Sequence, residues 1–197
     1  MSIPPEAFQP ILDELQRRPL PVNNYRAKAG SGRSQAFGVV NKRILPPDYS
    51  RQCWMRPKLY KLLLDFGAAY VKDISWNSIT VNQNYKATPH RDRGNLGNSF
   101  LVGFGDYEGG ELKIYEGDLS GCHDIRYTPL ITDFSKVLHS VEDWSGNRVS
   151  LVYYLLRNTP SDLPPPSVIL EDGKYWFKRG DKVVTGLPHP LCKSKVE

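Results

Sequence analysis

ITVNQNYKATPHRDRGNLGNSFLVGF, residues 79–104, is the stretch on which the reading of this chain turns. Its two ends, Ile79–Tyr85 and Phe100–Phe104, are short and rich in β-branched and aromatic side chains, and both read as strands. Between them stands His90-Arg91-Asp92. His90 and Asp92 are two residues apart, so in an extended segment both side chains point to the same side. Much later come His139 and, nine residues further on, Arg148 with Ser150. Two imidazoles and one carboxylate can cap one face of an octahedral Fe(II) and leave the remaining positions open. A guanidinium close to such a centre can clamp a carboxylate through two parallel charge-assisted hydrogen bonds. Alone, His-x-Asp is a weak signal, and His90 reads equally well as a loop histidine. The ordered set of four carries the weight.

Outward from this stretch the strand pattern continues. Glu111–Tyr115, Asp124–Tyr127, Leu130–Leu138 and Arg148–Leu156 are strand candidates, separated by turn signals such as Gly117-Asp118, Gly121 and Ser145-Gly146-Asn147. Closely spaced short strands with Gly-rich turns argue for an antiparallel sandwich or barrel. Two helices precede them. Phe8, Ile11, Leu12 and Leu15 fall at helical spacing after Pro4-Pro5, and Pro19 and Pro21 end that run. Leu59, Leu62, Leu63, Phe66 and Tyr70 stripe a second helix from Pro57 to about Val71, in which Gly67 is a modest penalty. In residues 22–56 the best strand candidate is Ala36–Val40. The expected fold is mainly β with supporting helices, a helix-backed jelly roll.

The 197 residues are expected to hold one domain over residues 1–160, with its core at 77–156. Residues 161–197 form an extension: a Pro-rich linker, then a hairpin in which Val168-Ile169-Leu170 and Tyr175-Trp176-Phe177 flank Asp172-Gly173. Packing on the main sheet is the default for that hairpin. Lys193-Ser194-Lys195 reads as frayed.

Strand alternation places the candidate ligands. Leu130–Leu138 leads into His139 and Arg148 opens the next strand, which predicts a hairpin bringing the two residues to neighbouring strands. Arg148, Ser150, Val152 and Tyr154 share one face, so Ser150 is a candidate second partner for a carboxylate held by Arg148. Asn82 and Asn84 share a face just before His90, and Tyr85 follows them; amides and a phenol there can touch a bound ligand or orient a metal-binding side chain. Each has a plainer reading: a core histidine for His139, a surface ion pair for Arg148, an edge-strand polar face for the asparagines. His123 and His189 match nothing and read as exposed.

The net charge of +5 and pI near 9.0 suit a polyanionic partner. The bias is local: Arg26 to Lys61 carries nine positive residues against Asp48 alone. Phe37, Tyr49, Trp54 and Tyr60 are interleaved with them, a mixture that suits phosphate tracking and base stacking; the plainer reading is a solvated face with its aromatics turned inward. Gly30-Ser31-Gly32-Arg33-Ser34 lacks the Gly-Lys-Ser/Thr ending of a P-loop and reads instead as a mobile basic loop facing substrate. Arg33, Lys42, Arg43 and Trp54 are the candidate substrate contacts, and replacing Arg33, Lys42 and Arg43 together is expected to flatten the salt dependence of nucleic-acid binding. Cys53, Cys122 and Cys192 are few, odd in number and far apart, which suits free thiols rather than a disulfide framework or zinc site. With no membrane-length apolar run and no leader pattern, the expectation is an intracellular protein, nuclear or cytoplasmic, with no membrane association.

The pattern His90-x-Asp92, His139 and Arg148-x-Ser150 resembles that of the Fe(II)/2-oxoglutarate-dependent dioxygenases. The resemblance implies a double-stranded β-helix that binds Fe(II) through His90, Asp92 and His139. It also implies 2-oxoglutarate as cosubstrate, its far carboxylate on Arg148 and Ser150 and its ketoacid end near Asn82, Asn84 and Tyr85, with O2 as oxidant. His90-Arg91-Asp92-Arg93-Gly94-Asn95, then Gly109-Gly110-Glu111-Leu112, then Gly146-Asn147-Arg148-Val149-Ser150-Leu151, is similar to the TET/JBP branch over residues 78–156. That branch oxidises the 5-methyl group of thymine or 5-methylcytosine in nucleic acid, which makes DNA the favoured partner and puts Asn95 near the base. The zinc-binding Cys-rich region of animal TET proteins and the base-binding domain of JBP proteins have no counterpart in these residues. Two other readings stay open: a protein side-chain hydroxylase, for example a prolyl hydroxylase, and a non-catalytic nucleic-acid-binding module.

Overall fold

The computed structural model describes residues 2–22 and 30–184. Arg26, Lys28, His189, Cys192 and the Lys193-Ser194-Lys195 end lie outside them. After a 3-10 turn at Pro5–Phe8, α1 runs Gln9–Arg17, and its apolar stripe buries Phe8, Ile11 and Leu15. Strand β1 follows at Gly30–Val40, then the short β2 (Asp48–Tyr49), α2 (Gln52–Met55) and α3 (Pro57–Tyr70). Gly30–Ser34, expected as a mobile loop, is the first half of β1. It pairs antiparallel with β3 (Ser78–Ala87), and this ladder satisfies the backbone groups a loop would leave to water.

Beyond β3 come β4 (Asn95–Phe104), β5 (Tyr107–Gly109), β6 (Leu112–Ile114), β7 (Gly121–His123), β8 (Leu130–Thr132), β9 (His139–Val141), β10 (Trp144–Gly146) and β11 (Val149–Leu156). Strands β2-β1-β3-β11-β4-β8 form one antiparallel sheet. Strands β7-β6-β9 and the pair β10-β5 form shorter sheets. The large sheet buries both faces, and alternation along its strands sorts the side chains. Ile79, Val81, Phe100, Val102, Phe104, Leu151 and Tyr153 point towards α1 and α3, where they join Phe8, Leu63 and Phe66 in one core. Leu101 points the other way and joins Leu112, Ile114, Phe134 and Val141 in a second core shared with the smaller sheet. This is the expected helix-backed jelly roll.

Two strand assignments move. The segment expected as one strand over Leu130–Leu138 keeps only β8, because a turn held by the Asp133 carboxylate on the Ser135 amide and hydroxyl interrupts it. The strand expected at Asp124–Tyr127 lies earlier, at β7, leaving Arg126 as a single bridge to Gly103.

Gly67 is less a penalty than a requirement. A Cβ there would lie 2.5 Å from the Trp76 ring and 2.9 Å from that of Tyr153. Gly67→Ala is therefore expected to destabilise the chain by about 1–3 kcal/mol through overpacking, despite the helix-propensity gain of about 1 kcal/mol. Urea unfolding of the two proteins measures the difference.

The C-terminal segment forms three strands, β12 (Pro166–Glu171), β13 (Lys174–Arg179) and β14 (Lys182–Val184). The turn sits at Asp172-Gly173, both at positive φ, as a tight two-residue hairpin demands. This sheet packs on α2 and α3 and meets the main sheet at its β2 edge, where Arg179 also pairs with Asp48 at 3.1 Å. Phe177 is buried against Tyr49, Trp54 and Tyr60. The interleaved aromatics of the basic segment are thus core: Phe37, Tyr49 and Tyr60 are buried, and Trp54 packs beside them. Cys53 is a buried free thiol, raised to about 12 chiefly by burial, and Cys122 is an exposed one. Among the described residues, no helix is long and apolar enough to cross a membrane.

Candidate metal centre and ligand cavity

His90 and His139 are tied to one another by their backbones. Each amide donates to the other's carbonyl at 3.0 Å. The Asp92 amide donates to the Phe134 carbonyl at 2.9 Å, which pins the segment after His90 to the turn before His139. These short bridges bring residues that are far apart in sequence onto one spot. The His90, Asp92 and His139 ligand atoms all lie within 4.8 Å of one another, with His90 Nε2 3.5 Å from an Asp92 oxygen.

The imidazoles are oriented from behind. His90 Nδ1 is 2.7 Å from the Thr88 carbonyl, and His139 Nδ1 is 3.0 Å from that of Val137. A carbonyl only accepts, so each Nδ1 carries the proton and each Nε2 presents a lone pair, the state in which an imidazole binds metal. Burial, the largest influence, pushes His139 below its ordinary pKa and keeps it neutral; the Val137 carbonyl and Asp92 oppose that pull.

Arg148 stands across the same cavity, 2% exposed. Its Nε donates to the Gly110 carbonyl at 3.0 Å, and its guanidinium lies over the Tyr107 and Trp144 rings. Gly110 is forced to be glycine: its φ is +70°, and a Cβ would come within 2.8 Å of the Arg148 side chain. Burial lowers the Arg148 pKa, with Tyr107 pulling the other way. No carboxylate among the described residues forms an ion pair with it. A buried cation without a counter-ion is costly and suits an anion brought from outside.

The expected hairpin between His139 and Arg148 does not form. His139 belongs to β9, which pairs with β6, and Arg148 immediately precedes β11, which pairs with β3 and β4. The two residues therefore face one another from opposite sheets, with the cavity of about 100 Å³ between them. Ser150 lines it as alternation predicts and accepts from Asn82 Nδ2 at 3.3 Å.

Asn84 departs from its expected face. Its φ is +50°, and the pairing of β1 with β3 shifts at this point. One extra residue in a strand reverses the faces of those that follow. Tyr85 and Ala87 consequently line the cavity beside Thr80 and Asn82, while Asn84 turns away and accepts from the Arg148 amide at 2.8 Å. Asn84 braces the arginine rather than touching a ligand. Tyr107, Gly110 and Trp144, which hold the arginine side chain, were missed as individual residues; the Gly109-Gly110 pair was their one visible signal.

Past the metal cluster the cavity meets an open groove of about 600 Å³, and both share Thr80, His90, Asp92, Asn95 and Tyr154. Asn95 is buried, with Nδ2 donating to Ser99 Oγ at 3.1 Å. Arg91 and Arg93 line the groove; Arg91 is committed to Glu116 and the Lys136 carbonyl, whereas Arg93 is exposed. Three of the four substrate contacts expected in the basic segment are occupied elsewhere. Arg33 donates to the Leu20 carbonyl, Lys42 donates to that of Tyr49 at 3.0 Å, and Trp54 packs on Phe177. Arg43 is exposed on the loop after β1. Further along, Lys58 and Lys61 pair with Glu14 and Asp65 on the helical side. His123 is half-buried and its ring contacts the Leu119 carbonyl at 2.7 Å.

No family model matches the sequence, and no curated protein matches it. Solved structures do. NgTET1 in complex with 5mC DNA superposes with a TM-score of 0.57 at 14% identity, covering 81% of this chain and 71% of that one. An oxidoreductase of the 2OG-Fe(II) oxygenase family from Burkholderia pseudomallei gives 0.49 at 18% identity, covering 76% and 80%. A Pseudomonas putida prolyl-4-hydroxylase gives 0.48 at 16% identity, covering 79% and 89%. With its two imidazoles and carboxylate gathered at one end of the cavity and its buried arginine at the other, the chain has a jelly-roll fold like that of NgTET1.

Proposed function

We propose that this chain is an Fe(II)- and 2-oxoglutarate-dependent dioxygenase that hydroxylates a C–H bond, its preferred substrate being the 5-methyl group of thymine or 5-methylcytosine in DNA. One observation carries the first part: three metal-competent side chains and a buried, uncompensated guanidinium line the same cavity. His90, Asp92 and His139 would hold the Fe(II), and Arg148 with Ser150 would hold the far carboxylate of 2-oxoglutarate. Bound together, metal and cosubstrate supply O2 activation coupled to decarboxylation of 2-oxoglutarate to succinate.

The protein's own residues do the rest. The Thr88 and Val137 carbonyls hold the imidazoles in their metal-binding tautomer, and Gly110 with Asn84 fixes the arginine. Leu101, Leu112, Val141 and Val152 form the apolar part of the cavity wall. The groove beside the metal cluster leaves the substrate an approach that does not cross the cosubstrate's seat.

Nucleic acid is favoured by the +5 charge, by Arg93 and Asn95 in the groove, and by the likeness to NgTET1, whose structure holds 5mC DNA. A base in a duplex must leave the stack to reach the metal. The phosphate grip expected at Arg33, Lys42 and Arg43 passes to Arg93 and Arg43, because the other two are bound to backbone carbonyls.

The test incubates the full chain with Fe(II), 2-oxoglutarate and, separately, 5-methylcytosine DNA, thymine DNA and a peptide pool. Succinate and substrate mass are followed in each. A gain of one oxygen atom on either DNA is expected. Oxidation confined to peptides would overturn the substrate and keep the chemistry; no succinate with any of the three would overturn both. Replacing Arg93 by alanine is expected to reduce the salt slope of DNA binding by about 1, read by fluorescence anisotropy at several salt concentrations.

A further inference from the structure

On the helical side of the large sheet, away from the metal cluster, the end of α1, the start of α3 and strand β13 surround a second pocket of about 340 Å³. Arg17, Arg18, Arg56, Lys58 and Lys174 line it against a single carboxylate, Glu14. Glu14 is itself buried and already engaged, 2.6 Å from Arg17 and 3.3 Å from Lys58. The pocket is therefore strongly positive.

Arg56 is its unusual member, only 4% exposed. Nη2 donates to the Arg18 carbonyl, but Nε and Nη1 are buried with no hydrogen-bond partner. A guanidinium carries five N–H donors and cannot lose its charge, so burying it half-satisfied costs free energy. Burial presses its pKa down and the neighbouring Arg18 presses it further, with Glu14 opposing. Nothing in the catalytic proposal uses this residue.

A second feature points the same way. Arg56 immediately precedes Pro57, the first residue of α3, a helix of 14 residues with no side-chain cap and no acid in its first turn. Pro57 and Lys58, the first residues of this helix, line the pocket, so the positive end of its dipole lies at the wall with Glu14 as the one carboxylate beside it. The aromatic residues Tyr175 and Trp176 form part of the wall.

We propose that this pocket binds a phosphate group, either inorganic or carried by a nucleotide. The phosphate oxygens accept from Arg56 and from the first-turn amides of α3, a pairing of guanidinium fork and helix terminus that suits a tetrahedral dianion. Lys58 and Lys174 supply charge at the rim. Trp176 offers a face for a base if the phosphate arrives on a nucleotide.

Calorimetry and thermal melting of the full chain test this with inorganic phosphate, a nucleoside monophosphate and the matching nucleoside, each against sodium chloride at equal ionic strength. Saturable phosphate binding that chloride does not reproduce is expected, with Lys174→Ala weakening it roughly fivefold and Arg56→Gln abolishing it. Because Arg56→Gln can unfold the chain, the double variant Lys58→Ala with Lys174→Ala serves as the second reading. Equal affinity for phosphate and nucleotide assigns the free ion; tighter nucleotide binding that Trp176→Ala removes assigns the nucleotide. Phosphate acting no differently from chloride, or binding that survives the double lysine variant unchanged, would overturn the proposal.

Discussion

Asp92→Ala is expected to lower Fe(II) affinity by more than about 100-fold, since even partners one layer behind a metal ligand are worth 10- to 100-fold. Succinate formation should fall with it. Asp92 supplies the negative charge of the cluster, and no other carboxylate of the described residues stands with His90 and His139 in it. Its backbone role survives the substitution, because the bond to the Phe134 carbonyl comes from the amide. The variant should therefore melt like the parent without metal and lose the stabilisation that Fe(II) gives the parent, which ligand linkage predicts for any ion binding only the folded state. Thermal melts with and without Fe(II), kept anaerobic, read both. Full metal-dependent stabilisation of Asp92→Ala would remove the metal centre from the account.

Arg148→Met separates the arginine's cost from its use. Before any ligand binds, Arg148 is a buried cation with one backbone bond from Nε and no ion pair. Replacing such a group by an apolar side chain of similar length is often neutral or stabilising, by about 1–4 kcal/mol where a buried charge is removed. The variant should thus equal or exceed the parent in stability while its apparent 2-oxoglutarate affinity falls by about 30- to 100-fold, the worth of a charge-assisted pair. Arg148→Lys should recover little, since an ammonium cannot make the two parallel bonds. A structural arginine gives the opposite pattern: lost stability with unaltered 2-oxoglutarate dependence. Urea unfolding and a titration of succinate formation against 2-oxoglutarate distinguish them.

The Asn84 case shows where strand alternation fails as a guide. Counting by twos puts Asn82 and Asn84 together and Tyr85 opposite; a single residue at positive φ exchanges Asn84 for Tyr85 at the cavity wall. An asparagine tolerates that backbone conformation, but the sequence does not say that it adopts it. The pairing partners do: Gly32 of β1 packs so close to the Asn84 carbonyl that a Cβ there would lie 2.2 Å from it. The basic segment fails for a related reason. Its charges and aromatics were visible, yet Arg33 and Trp54 are turned by packing onto the Leu20 carbonyl and Phe177, partners from other elements.

What the residues alone determined is chemical and local. The two imidazoles, the carboxylate and the arginine are the donor set they are whatever the fold, and short β-rich runs between turns limit the architecture to an antiparallel sandwich or barrel. Which sheet carries each of them was decided only in three dimensions. His139 and Arg148, read as hairpin neighbours, came from opposite sheets, because strand pairing is chosen by contacts between residues distant along the chain, and local periodicity contains no record of those contacts.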